Sequence, residues 1–458
     1  MKAWEMEREI RDNAVPKDRR KNESHWYKSD MTVPYGDELI KKFWKSNVPG
    51  SLAPEIPYLE MTQALSNQGY DVSAAENLIP EGIQLFEIGD IDNLRVLTAK
   101  LLNALNNAPK IADHPYHQHE YPMSWEEIYR AMPVSSQASS SRPEWKNTFK
   151  NKIYQGWIGQ LAGGSFGTAI EGYIGSQIEL IYGEVDSYIT TPETTNDDVV
   201  YELAFLDAFA KNGRYVTSQQ VGLEWIKQIQ FGWSAEWIAI RNLNMGIFPP
   251  ESGRFLNFYS DWIGAQMRGM VCGMLAPAWP IEAARLAFTD AVVSHSNNGV
   301  YGEIAAAVMT ALSFEMENPR DIIQETLKYL PAKSEYVEKY LIVLDILRTE
   351  EDPNIARGRI EPHFIRYNWI HSYPNMAADL YALWYGNGDF SESMKLLAKS
   401  GNDVDCNAGL VGNILGIIRD VPRKWSDPIG DLLETYIKGK ERLSIRHLAE
   451  KTSELAQQ

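Results

Sequence analysis

An all-α protein is what this sequence predicts, on three observations. Apolar residues recur at three- to four-residue spacing along most of the chain, the alternation of half-buried strands is scarce, and Gly and Pro mostly fall between the apolar segments. Upstream, residues 1–50 are polar and irregular, whereas 59–108 read as helical, with Leu94, Leu97, Leu101 and Leu105 on one face of a late helix. Next comes Pro133 to Pro143, rich in Ser, bracketed by proline and without large apolar anchors. It predicts an exposed linker over 133–146. The linker divides the chain into an N-terminal extension, 1–145, and a larger helical domain, 146–458. In the larger part the helical runs fall at 153–162, 199–211, 218–230, 234–246, 261–275, 281–293, 302–314, 320–329, 336–348, 375–385, 391–399, 407–418, 428–437 and 444–456. Gly213, directly after Asn212, predicts the end of the second of these.

The totals narrow the function. At 458 residues the chain can bury a large core without staples. A net charge of −17 argues against nucleic acid or an anionic membrane as partner, since either calls for a basic face. Two cysteines, Cys272 and Cys406, cannot make a disulfide framework and suit a reducing compartment. The charged N-terminus is unlike a signal peptide, and no apolar run reaches the roughly 18 residues of a membrane span. A cytoplasmic protein is the expectation. Fourteen Trp and 23 Tyr also supply stacking surfaces for a flat ligand.

Two acidic clusters about two hundred residues apart carry the chemistry. Thr195-Asn196-Asp197-Asp198 precedes the apolar run at 199, and Asn402-Asp403-Val404-Asp405-Cys406-Asn407 precedes the run at 408. Each suits a plain helix start, with Thr195 or Asn196 as cap and the carboxylates on the helix dipole. Their repetition suggests more. Two helix mouths, each with two closely spaced carboxylates, would form an oxygen-rich site for Mg²⁺, Mn²⁺ or Ca²⁺ if the fold brought them together.

Other segments are less specific. Gly156, Gly159, Gly163, Gly164 and Gly167, in a stretch reaching Glu171, allow close helix packing, but no strand precedes them as a dinucleotide fingerprint requires. Ser294-His295-Ser296-Asn297-Asn298-Gly299-Val300-Tyr301-Gly302 is a polar loop that serves equally as a turn or as a sugar- or phosphate-binding loop. His371 sits at another helix entry. His114, His117 and His119 lack the i, i+4 pair of a zincin and read as a polar connection.

Taken in order, these segments resemble the ADP-ribosylglycohydrolase family, which includes the glycohydrolase that reactivates ADP-ribosylated dinitrogenase reductase. The glycine-rich helix from Gly156 to Glu171, the helix start Asn196-Asp197-Asp198-Val199, the loop from Ser294 to Gly302, and Asp403-Val404-Asp405-Cys406-Asn407 to Gly416 follow the family's order over roughly 150–420. Residues 1–145 look like an extension of longer bacterial relatives. The resemblance implies a compact multi-helix bundle and hydrolysis of an ADP-ribosyl or ribosyl N- or O-glycosidic bond by water placed at the anomeric carbon. The implied substrate is a small ribosylated molecule or an ADP-ribosylated protein. It implies one or two Mg²⁺ ions on Asn196, Asp197, Asp198, Asp403, Asp405 and Cys406. Glu171, Asp197, Asp198 and Asp405 take catalytic roles, and Ser294, His295, Asn298, Gly299 and Tyr301 contact substrate. Asn196 and Cys406 stand where the family commonly has Thr, and the family's Gly-Asn-Gly-Gly-Ala-Met-Arg loop survives only as Ile263-Gly264-Ala265-Gln266-Met267-Arg268. Those departures leave open a hydrolase of smaller ribosides and a binding protein without turnover.

Overall fold

The packing of two helices, Thr148–Gly167 and Val404–Ile418, organises the main domain. Gly159, Gly163 and Gly167 recur every four residues and so lie along one face of the first helix. A Cβ at Gly163 would fall 1.8 Å from the Ala408 carbonyl oxygen, and one at Gly159 would fall 2.1 Å from that of Gly412. The two backbones therefore touch, which only glycine permits. Helices Asp197–Asn212, Asn298–Leu312 and Ser372–Gly386 surround this pair, and one large apolar core runs through them.

The structure is a computed structural model and describes residues 12–13, 37–136 and 142–458. Among the described residues the only strands form three two-stranded antiparallel ribbons of two residues per strand, as the absence of alternation in the sequence implies. Gly213 ends its helix at a φ of 61°, as expected.

Three segments depart from the sequence expectations. Residues 261–269 form turns and a single 3₁₀ turn at Gln266–Arg268 before a short helix, Met270–Leu275. Apolar spacing cannot separate a buried turn from a helix there, because nearly every residue is buried. The run at 428–437 is not a helix either: the preceding helix closes at Ile429, Gly430 has a φ of 64°, and Leu433–Glu434 pairs with Arg442–Leu443. Asp37–Trp44, within the stretch read as irregular, is helical and buries Trp44.

The extension supplies helices Pro57–Asn67, Ile79–Ile88 and Ile91–Asn106. Leu94, Leu97, Leu101 and Leu105 are buried on one face, in an apolar cluster that also includes Ala235, Ile238, Tyr259 and Trp262 of the main domain. Residues 137–141 of the Ser-rich linker lie outside the described residues, while 133–136 form a short 3₁₀ turn. No helix among the described residues is long and apolar enough to cross a membrane.

Candidate metal centre

Both acidic clusters are first turns of helices, and the fold brings those turns together. Asn196 is extended, and its Oδ1 accepts the Asp198 N–H at 2.7 Å, capping Asp197–Asn212. The second helix follows the ribbon in which Gly401–Asn402 pairs with Tyr173–Ile174, and Asp403 stands at its start. Gly167 fixes the approach, since a Cβ there would lie 2.2 Å from the Asp405 backbone nitrogen. The Asn196 Nδ2 then donates to Asp405 Oδ2 at 3.2 Å, and the Cys406 thiol donates to Asp198 Oδ1 at 3.4 Å. Each helix start is thus tied to the other.

The electrostatics of this arrangement are unfavourable without a counter-charge. Burial, then the neighbouring Asp405, pushes Asp197 up to about 6. Burial likewise pushes Asp403 up to about 6, while burial and adjacent carboxylates hold Asp198 and Asp405 well above the usual carboxylate range. Glu171 is raised too, by burial first and then by Asp405 and Asp403. One oxygen each of Asp403 and Asp405 is buried with no hydrogen-bond partner. Asp403 occupies the cap position, yet it forms no side-chain capping bond of normal geometry and one of its oxygens is left without a partner.

Ligand atoms of Asp403, Asp405 and Cys406 all lie within 4.8 Å of one another, close enough to hold a metal ion together. The carboxylates fit a hard cation. The other two donors fit it less well: the Asn196 amide is engaged at both ends, and burial pushes the Cys406 thiol up, away from the thiolate that metals bind.

The cluster lies at a cavity of about 460 Å³. Glu171, Asn196, Asp197, Asp403, Asp405 and Cys406 all line it, and aromatic side chains form much of the remaining wall. Val48, Pro49, Gly50 and Glu55 of the extension complete it.

Glu236 also lines the cavity; nothing in its local spacing marks it, because an acid in the first turn of Ser234–Asn244 looks like any dipole-favoured glutamate. Its side chain is 5% exposed and accepts a hydrogen bond from Arg268 at 2.7 Å. Burial, opposed by Arg268, pushes it up to about 7.

The 294–301 loop is placed differently from the expectation of substrate contact. Ser294, His295, Asn298, Gly299 and Tyr301 are all buried and none lines the cavity. The His295 Nδ1 lies 2.7 Å from Ser294 Oγ and 3.8 Å from Glu236 Oε1, and Arg268 donates to Ser294 Oγ at 2.8 Å. Asn298 is tied to Asp261 and Tyr336, and the Tyr301 hydroxyl donates to the Pro122 carbonyl at 3.0 Å. Gly299 lies so close to Ser260 that a Cβ would fall 2.3 Å from its carbonyl oxygen. The loop therefore forms the wall behind Glu236. His371 caps its helix by accepting from the Tyr373 N–H at 3.2 Å. His114, His117 and His119 each hydrogen-bond to backbone within or beside their own connection, as a polar connection should.

A helical domain with a buried carboxylate cluster between two helix starts, facing an aromatic-walled cavity, defines the class. Residues 145–458 match the profile of the ADP-ribosylglycohydrolase family, and the chain belongs to that family. An uncharacterised protein of Archaeoglobus fulgidus is 24% identical over 307 residues, covering 62% of this chain and 92% of the relative. A solved structure, an "ADP-ribosylglycohydrolase-related protein complex", is 17% identical with a TM-score of 0.45, covering 68% of this chain and all of the other.

Proposed function

We propose that this chain is a cation-dependent glycohydrolase that cleaves an ADP-ribosyl or ribosyl N- or O-glycosidic bond. The observation that carries the reading is the meeting of four aspartates, three of them buried and two with unpartnered oxygens, beside a ligand-sized cavity. Asp197, Asp198, Asp403 and Asp405 would hold the cation, Mg²⁺ by preference for hard oxygen donors, with Mn²⁺ or Ca²⁺ as alternatives. Bound there, the ion would supply Lewis acidity and hold a water and the ribose hydroxyls.

The chain's own groups do the rest. Glu171 lines the same cavity as Asp403 and Asp405, and burial first, then those carboxylates, raises its proton affinity; with a cation bound to offset them it would take the proton of the attacking water. Glu236, pushed up to about 7, keeps a proton near neutrality that it can give to the departing group. Arg268 fixes its carboxyl in place, with the His295 ring packed 3.8 Å behind it.

The test is a melting curve with and without millimolar Mg²⁺. A cation at a hundred times its Kd should stabilise the fold by about 2.7 kcal/mol. Asp197→Ala and Asp405→Ala should abolish the shift. If neither Mg²⁺ nor Mn²⁺ stabilises the wild-type protein, the reading fails at its centre. A hydrolysis screen of ADP-ribosyl-arginine, ADP-ribosyl-serine, O-acetyl-ADP-ribose and ribonucleosides then separates the substrates.

A further inference from the structure

We infer that the ligand of this cavity is a riboside of a flat base that carries no phosphate. The inference rests on the riboside-cleaving reading above and names its substrate class.

The walls supply stacking surface from separate parts of the chain. Phe231, Trp233, Trp262, Trp369 and Tyr436 all line the cavity. Phe231 stacks on Tyr436 with ring centroids 4.9 Å apart and planes 26° apart, and Trp233 stands edge-on to Phe231 at 6.2 Å. Phe231 and Trp233 remain 47% and 41% exposed, unusually open for rings so large, and a flat base laid against them would cover them. Two of these residues, Trp262 and Tyr436, also carry a buried polar atom, the indole N–H and the hydroxyl, without a hydrogen bond.

The charge of the same walls opposes a diphosphate. Beyond the four aspartates, Glu55, Glu171 and Glu193 line the cavity, Glu236 adds charge only where it loses its proton, and among the described residues no Lys, Arg or His lines it. Arg268, the arginine nearest in sequence to the lining residues Ile263, Gly264 and Met267, is turned away. It ion-pairs with Asp290 and Glu236, donates to Ser294 and the Gly264 carbonyl, lies 3.8 Å from Glu303, and its side chain is only 1% exposed. Five partners in a buried network hold it there, so reaching a phosphate would mean breaking them. A phosphate in this cavity would meet carboxylates with no fixed cation but the metal.

Matched pairs on the full-length protein in Mg²⁺ test this by calorimetry: inosine against inosine 5′-monophosphate, and nicotinamide riboside against its 5′-phosphate. The nucleoside of each pair should bind at least tenfold more tightly. Trp233→Ala, at a half-exposed position, should weaken nucleoside binding at least tenfold and leave the Mg²⁺ shift in melting temperature unchanged. Equal or tighter binding of the phosphorylated member, no binding of either nucleoside, or an indifferent Trp233→Ala variant would overturn the inference. Binding as expected without release of base in Mg²⁺ or Mn²⁺ would instead overturn the glycohydrolase reading and leave the ligand class standing.

Discussion

Adjacent glycines in the Thr148–Gly167 helix should respond to alanine with opposite signs. At Gly163 the new Cβ would stand 1.8 Å from the Ala408 carbonyl oxygen, whereas at Gly164 its nearest neighbour is the Asn196 amide at 3.4 Å, ordinary contact. Alanine favours a helix interior over glycine by about 1 kcal/mol, so Gly164→Ala should be neutral or stabilising by up to about 1 kcal/mol. At Gly163 the same gain is outweighed. The added methyl overlaps backbone by about 1.5 Å relative to normal contact, and backbone in a packed helix cannot swing aside as a side chain would. Overpacking of this kind costs roughly 1–3 kcal/mol and occasionally more, and so deep an overlap with backbone belongs at the upper end, leaving Gly163→Ala destabilised by about 2 kcal/mol or beyond after the helix gain.

Gly167→Ala joins that argument to the site, because its Cβ would fall 2.2 Å from the Asp405 nitrogen and 2.3 Å from its Cα. The aspartate must move, so this variant should lose the Mg²⁺ response as well as stability. Urea denaturation of the three variants, in chelator and again in Mg²⁺, checks the whole set. Equal midpoints for Gly163→Ala and Gly164→Ala, or a full cation response in Gly167→Ala, would refute the reasoning that helix contact positions the carboxylates.

Three further outcomes are expected. Asp405→Asn should raise stability at pH 8 in chelator, by about 1–3 kcal/mol, because it removes one of several crowded buried carboxylates, and it should abolish stabilisation by Mg²⁺; a pure helix cap would show neither effect on thermal melting. Burial, reinforced by Glu55, pushes the partly buried Glu60 up to about 8 in the folded protein from an ordinary 4.5. A raised folded value means its contribution is fully present below pH 4.5 and is lost as pH rises to 8, so Glu60→Gln should flatten that decline by roughly 2 kcal/mol in denaturation across this range, the partial exposure screening the full linkage value. Glu236→Gln should lower kcat/KM about 10²- to 10⁴-fold and remove the loss of activity above pH 7 that deprotonation of Glu236 produces; an unchanged pH–rate profile would exclude it as the proton donor.

Much of this fold was legible because helical periodicity is a local property. The face carrying Leu94, Leu97, Leu101 and Leu105 is buried as a single stripe, and Gly213 stops a helix where its spacing said it would. Residues 261–269 defeated the same logic, since in a wholly buried segment apolar residues no longer mark one face. The acidic clusters were legible as residues but not as a pair. Nothing within either segment distinguishes Asn196, which caps its helix, from Asp403, which stands at the same position and does not. The glycine stripe at 159, 163 and 167 held the missing information, because it says that another helix must lie in contact there without saying which. The family resemblance implied that His295 contacts substrate. It lies instead behind Glu236, a residue whose importance depends on burial that no spacing reports.

Two of the departures from the family pattern, Asn196 and Cys406, have one physical consequence. Asn196 uses its amide oxygen on the Asp198 N–H and its amide nitrogen on Asp405, while Cys406 directs its thiol at Asp198. Both side chains therefore bridge the two helix starts, leaving the hard oxygen donors of the cluster to its carboxylates. A neutral thiol 3.4 Å from one of those carboxylates stabilises the charged oxygen only weakly, and it cannot replace the hydroxyl oxygen that a threonine would offer a hard cation. Cation binding at this centre, as proposed, would then follow the ionisation of Asp197, Asp198, Asp403 and Asp405. Because burial and mutual repulsion hold all four above the usual carboxylate range, a cation has to displace protons to enter, and its affinity should rise with pH where those protons leave.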